Sequence, residues 1–181
     1  MDIYYVTSNT AKFEEASLIL NGLSIHHAPL HLEEIQGSSS DVATHKIKKA
    51  VSHFNAPCMI DDVSLSCPCI GNLPGPYIRS FLESLGDEGL ARLIHHYPDH
   101  SCTVTCTIAF SESEDQTPLL FTGCVHGKIV LPRGTRKHTH SWNSIFVPDG
   151  HTKTFAEISL EEMSQISPRN KALSAFRNYL L

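Results

Sequence analysis

Residues 4–20, YYVTSNTAKFEEASLIL, decide how the chain begins to fold. Tyr4, Tyr5 and Val6 are a short run of β-favouring residues, and Thr7-Ser8-Asn9-Thr10 is a polar turn. From Lys12 the spacing changes: Phe13, Ala16 and Leu20 fall at i, i+3 and i+7, on one face of a helix. A strand therefore runs into a helix through a turn of hydroxyl and amide side chains. Such a turn offers main-chain N–H groups, hydroxyls and a lysine at a helix N-terminus, which suits a phosphate; as a plain helix cap it needs no ligand. These residues alone leave both readings open.

Further along, strand and helix patterns keep mixing. QGSSSD (36–41) reads as a loop ending in a cap, with Asp41 starting a helix whose apolar face is Ala43, Ile47, Ala50 and Phe54. Its lysines, Lys46, Lys48 and Lys49, read from spacing as a solvated face. Cys58 to Ile60 form a buried strand with Asp61-Asp62 at its end. The Gly/Pro-rich stretch 71–86 runs into a helix with Ile78, Phe81, Leu82 and Leu85 inward, and 88–97 forms a second short helix. CTVTCTIAF (102–110) alternates as a strand, and 119–132 reads as one long or bent strand with glycines marking bulges. Residues 140–159 read as loop with a short strand. The C-terminal stretch from 167 is a helix, with Ser167 as N-cap, Pro168 at its first position and Leu173, Phe176 and Leu180 on one face. Without strict alternation of strands and helices, the class expected is α/β with a partly antiparallel sheet.

The bulk numbers limit what such a chain does. At 181 residues it is sized for one domain, or two lobes sharing a core, and 41% hydrophobic with 18% charged residues is globular composition. A net charge of −5 gives no basic footprint for long nucleic acid, though a few lysines in a cleft suffice for a small anion. No apolar run approaches the ~18 residues of a membrane span, and MDIYYVTSN lacks a signal-peptide pattern, so the expected place is intracellular, in the cytoplasm. Six cysteines, at 58, 67, 69, 102, 106 and 124, are then expected as buried thiols. Cys67-Pro68-Cys69 is C-x-C with no second pair to complete a zinc site, and the histidines are scattered.

Chemistry concentrates in acidic pairs. Asp61-Asp62 after an apolar strand, with Glu33-Glu34 elsewhere, offers the oxygen ligands that a hard divalent cation takes; an Asp pair also serves as an ordinary turn or cap. GCVHGK (123–128) is one residue short of a phosphate-binding loop, lacks Ser or Thr after Lys128 and sits in a strand pattern. No G-x-S-x-G motif supports a serine hydrolase.

Taken together, these pieces resemble the inosine triphosphate pyrophosphatase family, which removes non-standard purine nucleoside triphosphates. That family opens with a strand and T-G-N-x-x-K, here Thr7-Ser8-Asn9-Thr10-Ala11-Lys12. Its E-x-Q-G is Glu34-Ile35-Gln36-Gly37, its acidic-Asp pair is Asp61-Asp62, and its L-P-G-P-Y-I-[KR] is Leu73 to Arg79. Its C-terminal motifs correspond to SWNSIFVPDG, TFAEIS and SPRNKAL. The match is ordered and spans nearly the whole chain.

The resemblance implies a single domain over 1–181, elongated and two-lobed, with a long central mixed sheet flanked by helices and an active-site cleft between the lobes. It implies a homodimer using Mg²⁺, with Mn²⁺ as a substitute, on a nucleoside triphosphate substrate. Thr7, Ser8, Asn9 and Lys12 become the triphosphate cradle. Asp62 becomes the catalytic carboxylate and a metal ligand, Glu34 a second metal ligand and Asp61 a supporting acid. Lys46 moves from solvated face to phosphate contact. Arg79 lies near the site, and Arg169 reaches the base or ribose.

The departures fall in the base pocket. The family's S-H-R is Ser167-Pro168-Arg169, so the histidine that meets the 6-oxo edge is missing. The base-stacking aromatic falls at His140, and the glycine after it is Ser141. Trp142 is kept, the following Asp is Asn143, and the Pro after it is Ser144; a phosphate-side lysine falls at Met163. Loss of one base-edge hydrogen bond is worth roughly 1–3 kcal/mol of discrimination. Three readings follow: a pyrophosphatase of inosine and xanthosine triphosphates, one with shifted or relaxed base preference, or a catalytically impaired nucleotide-binding protein on the same scaffold.

Overall fold

A computed structural model describes residues 1–135 and 141–181. Its elements are β1 (Asp2–Val6), α1 (Thr10–Ile19), β2 (Ser24–Ala28), α2 (Ser39–Phe54), β3 (Cys58–Cys67), β4 (Leu73–Gly75), α3 (Ile78–His95), β5 (Ser101–Ser111), β6 (Leu119–Ile129), β7 (Phe146–Pro148), α4 (Leu160–Ile166) and α5 (Pro168–Leu180). The seven strands form one mixed sheet in the order β2-β1-β3-β5-β6-β7, with β4 paired to β3. β1 runs parallel to β2 and β3, while β4 on β3 and β7 on β6 are antiparallel. The α/β class with a mixed sheet and flanking helices is as the sequence predicts.

The chain forms two compact units, one of residues 1–62, 106–123 and 168–181, the other of 63–105 and 124–167; β3, β5 and β6 contribute to both. In the first unit the pleat of β1 and β3 sorts the side chains by parity. Val6, Cys58 and Ile60 pack with Ala43, Ile47 and Ala50 of α2. On the other face α5 brings Phe176 against Phe110, at 5.2 Å between ring centroids. The same helix explains Gly123, where a Cβ would lie 2.1 Å from the Pro168 carbonyl oxygen. The second unit has its own core, in which Leu82, Leu90 and Ile94 of α3 meet Val104, Val125 and Phe146 of the sheet.

Several local expectations change. α2 is capped by Ser38, not Asp41: Asp41 is the third helical residue, and its carboxylate reaches back to the Ser38 backbone while Ser38 Oγ accepts from the Asp41 N–H. The two helices expected over 78–97 are one element broken at Gly86, whose φ of 70° suits glycine. Leu85, just before the break, is exposed rather than inward. Along β6 burial alternates without a slip through Gly123 and Gly127, so these glycines mark close approaches by neighbouring backbone rather than changes of face. β2 and α4 are elements that the sequence reading did not contain. Cys67 and Cys102 form a disulfide, against the expectation of thiols, because neighbouring strands β3 and β5 bring their Cα atoms to 4.4 Å. Cys58, Cys69, Cys106 and Cys124 form no disulfide among the described residues.

Candidate active site

The Asp pair lies inside β3, not at its end. The strand continues through Asp61 and Asp62 to Cys67, so the two carboxylates project to opposite faces instead of sharing one mouth. Each collects its own cations. Lys12 Nζ donates to Asp61 Oδ1 at 3.0 Å, and Arg169 Nε donates to Asp61 Oδ2 at 2.9 Å. On the other side Lys46 Nζ donates to Asp62 Oδ1 at 2.6 Å and to Glu34 Oε1 at 2.8 Å. Sequence spacing could not pair them: Lys12 precedes its acid by 49 positions and Arg169 follows it by 108.

Local structure explains how these groups are held. The turn after β1 ends in Asn9, whose side-chain oxygen accepts from the Lys12 N–H and caps α1, while Thr7 Oγ1 accepts from the Asn9 N–H. The turn therefore caps α1, and the cap aims Lys12 at Asp61. Ser8 is exposed. Lys46 lies on the buried face of α2, one turn after Val42 and Ala43, where Asp62 and Glu34 receive its ammonium, while Lys48 and Lys49 are exposed, as the solvated-face reading has them. Arg169, in the first turn of α5, also donates from Nη1 to Glu15 at 2.6 Å.

Charge and burial set the two acids apart. Burial works to raise the Asp61 carboxyl, but Lys12 and Arg169 outweigh it and hold the group well below the usual carboxylate range. Asp62 moves the other way: burial raises it, Lys46 offsets only part, and the negative Glu34 adds to the rise. Lys46 loses to burial and regains more from Asp62 and Glu34, so it stays charged. Asp61 is thus a fixed anion, and Asp62 an acid nearer to exchanging a proton.

Two further residues touch this machinery without having shown in the spacing. His27 Nε2 donates to the Thr7 carbonyl at 2.9 Å and stacks on Phe13, bracing the turn. Tyr5 is fully buried, and the Asp61 carboxylate acts on its hydroxyl.

The remaining candidates lie apart in the chain. Trp142 stacks edge-on against Phe146 and Phe155 in the core of the second unit. The turn it opens is fastened: Asn143 O accepts from Ala156 N at 3.0 Å, Ser144 O from Arg133 N at 2.9 Å, and Ser144 Oγ donates to buried Asp87 at 2.5 Å. The Asn143 side chain, half-buried, is left on that fixed backbone. Met163 packs on the same core, which accounts for an apolar residue there. Ser167 is buried, its N–H donating to Met163 O, and Pro168 follows it buried. Arg79 is exposed on the first turn of α3. His140 lies outside the described residues. An open cavity of about 490 Å³ in the second unit, lined by His95, Lys128, Arg133 and His151 among others, includes none of the candidates.

Comparison with known proteins gives the family. The sequence pattern of the Ham1 family matches residues 3–179. The inosine triphosphate pyrophosphatase of Yarrowia lipolytica is 40% identical over 99% of this chain and 96% of its own. That of Tuber melanosporum is 38% identical over 98% and 96%. Among solved structures, a HAM1 protein from Coxiella burnetii superposes with a TM-score of 0.87 at 25% identity, covering 99% of this chain and 98% of that one. The chain belongs to the Ham1 family.

Proposed function

We propose that this protein is a nucleoside triphosphate pyrophosphohydrolase of non-standard purine nucleotides, cleaving the inosine and xanthosine forms to monophosphate and pyrophosphate and so keeping deaminated purines out of nucleic acid. The observation that carries the reading is the Asp61-Asp62 pair, which gathers Lys12, Arg169 and Lys46 around one strand. The named activity of relatives near 40% identity supports it.

Water attacks the α-phosphorus; an O–P bond forms, the bond from that phosphorus to the bridging oxygen breaks, and pyrophosphate departs. Lys12 and Lys46 meet the triphosphate charge, each already held and aimed by a carboxylate. Asp62, with its raised pKa, takes the proton of the attacking water. Asp61 stays ionised and anchors Lys12 and Arg169. Glu34 and Asp62 converge on one cation, the Lys46 ammonium, and such a carboxylate pair suits Mg²⁺, which keeps its other positions for water and phosphate. When bound there, Mg²⁺, or Mn²⁺ in its place, would neutralise phosphate charge and polarise the reacting groups. The family resemblance supports a homodimer acting in the cytoplasm, and among the described residues no helix is long and apolar enough to cross a membrane. A shifted base preference is the second reading, favoured by buried Pro168, which has no side-chain donor, and by Asn143, which both donates and accepts.

The test is pyrophosphate release with Mg²⁺ across inosine, xanthosine and the four common triphosphates, ribo and deoxy, beside Asp62→Asn. Turnover on inosine or xanthosine triphosphate, reduced about a thousandfold or more in the variant, is expected. Turnover only on another base would establish the second reading, and none on any nucleotide would leave a binding protein.

A further inference from the structure

Asp87 is a buried acid outside the machinery of Asp61 and Asp62. It follows Gly86, where α3 breaks, and stands at the start of that helix's second half. Its Oδ1 accepts from the Glu88 N–H at 2.8 Å, and its Oδ2 accepts from Ser144 Oγ at 2.5 Å, across 57 positions of sequence. Asp87 and Ser144 are each 3% exposed. Burying an acid is costly unless it is bonded, and an apolar residue would fill the same space without that cost. What the acid adds is a fixed place for one hydroxyl.

That hydroxyl belongs to the last residue of the turn 142–144. The turn is tied at each step: the Asn143 N–H donates to Ser141 Oγ at 3.3 Å, Asn143 O accepts from the Ala156 N–H at 3.0 Å, and Ser144 O accepts from the Arg133 N–H at 2.9 Å. The Asn143 side chain takes no part in these bonds, and the residue is half-buried. We propose that Asp87 and Ser144 are positioning residues for base choice, acting through the Asn143 amide. The inference rests on the reading of Asn143 as a contact to the nucleobase. An amide carries both a donor and an acceptor. It can therefore serve a purine whose C6 oxo group accepts, or one whose C6 amino group donates. Residue type alone does not choose between them; orientation does. By holding Ser144 from the side of α3, Asp87 fixes which end of the neighbouring amide the base meets, and so favours the 6-oxo purines over the 6-amino ones.

The test compares kcat/KM for inosine and adenosine triphosphates in the wild type, Ser144→Ala, Asp87→Asn, Asn143→Ala and the double variant Ser144→Ala/Asn143→Ala. Ser144→Ala removes the hydroxyl. Asp87→Asn keeps the volume but leaves one acceptor oxygen for two donors, so it interrupts the same bond by another route. In either single variant the ratio between the two nucleotides should move about fivefold towards one. Adding Ser144→Ala to Asn143→Ala should move it by less than about twofold. An unchanged ratio, or the same change in both backgrounds, overturns the proposal, because a bond that only supports the fold affects both nucleotides alike. A second measurement needs no substrate. Amide exchange at Ala156, bonded to Asn143 O, should quicken about tenfold in Ser144→Ala, while exchange at Phe155, bonded to Phe146 O, stays within about twofold. Equal quickening at both amides, or none, also overturns it. If the wild type hydrolyses no nucleotide, the pyrophosphatase reading falls, and the ratio of dissociation constants, with the same variants and limits, takes the place of the kinetic one.

Discussion

Asp61 carries two cations on a side chain that is 1% exposed, so the fold should feel its loss as strongly as the chemistry does. Asp61→Ala leaves Lys12 and Arg169 without their shared acid, and about 3–5 kcal/mol of stability at neutral pH should go with it. The pH dependence has a definite sign. The folded carboxyl lies below its unfolded value, so its contribution is complete above the unfolded pKa of ~4 and is lost as pH falls through the folded one. Urea unfolding at pH 7 and pH 3 should show the gap between wild type and variant narrowing on the acid side. At this scale the sequence was partly legible. Asp61 and Asp62 stood out as an acidic pair after an apolar run, Glu34 as part of a second acidic pair and Lys12 as a lysine at a helix start, while Lys46 took its role only from the family resemblance. Their pairing could not, since β1, α2, β3 and α5 meet only in three dimensions. Tyr5 and His27 were invisible for the same reason: a tyrosine in an apolar strand and a histidine in a short edge strand look like filler until their neighbours are known.

Among the elements, α5 and β6 show how a glycine can be read wrongly. In a strand pattern it suggests a bulge, and a close approach leaves the same trace in the sequence. At Gly123 a Cβ would meet the Pro168 carbonyl oxygen at 2.1 Å and the Ala172 nitrogen at 2.7 Å, and both are backbone atoms that cannot step aside. Gly123→Ala should therefore push α5 off the strand, costing about 3 kcal/mol or more, and calorimetry should show a melting temperature lower by about 10 °C. Because α5 carries Arg169, the same variant should bind nucleotide more weakly. The strong periodic segments, α2, β5 and α5, were legible from hydrophobic spacing. β2 was not, since His26 and His27 interrupt its apolar character, and α4 was hidden by a polar stretch held by Ser159 as cap. Asp41 was taken for the cap because both partners of a capping box are capping residues, and spacing alone does not say which comes first.

For the whole molecule, inosine triphosphate with Mg²⁺ should raise the melting temperature, by an amount equivalent to about 2.7 kcal/mol when ligand is a hundredfold over its Kd. Chelation by EDTA should abolish turnover and remove much of that shift. The family was legible from motif order alone, because a polar turn with a lysine, two acidic elements and a C-terminal arginine in one sequence order cannot be imitated by composition. The disulfide was not, since Cys67 and Cys102 are separated by 35 positions and become neighbours only through β3 and β5.

The adjacency of Asp61 and Asp62 has a consequence for how this chain can vary over generations. A strand counts its residues odd and even, and one insertion or deletion between Cys58 and Asp61 would hand each acid the other's neighbours. Asp62 would then face Arg169, and Asp61 or an apolar residue would face Lys46. Substitutions along this segment change one contact at a time, whereas a change of length reverses all of them together. Comparison of relatives should accordingly find differences of residue type between positions 58 and 62, but no gaps.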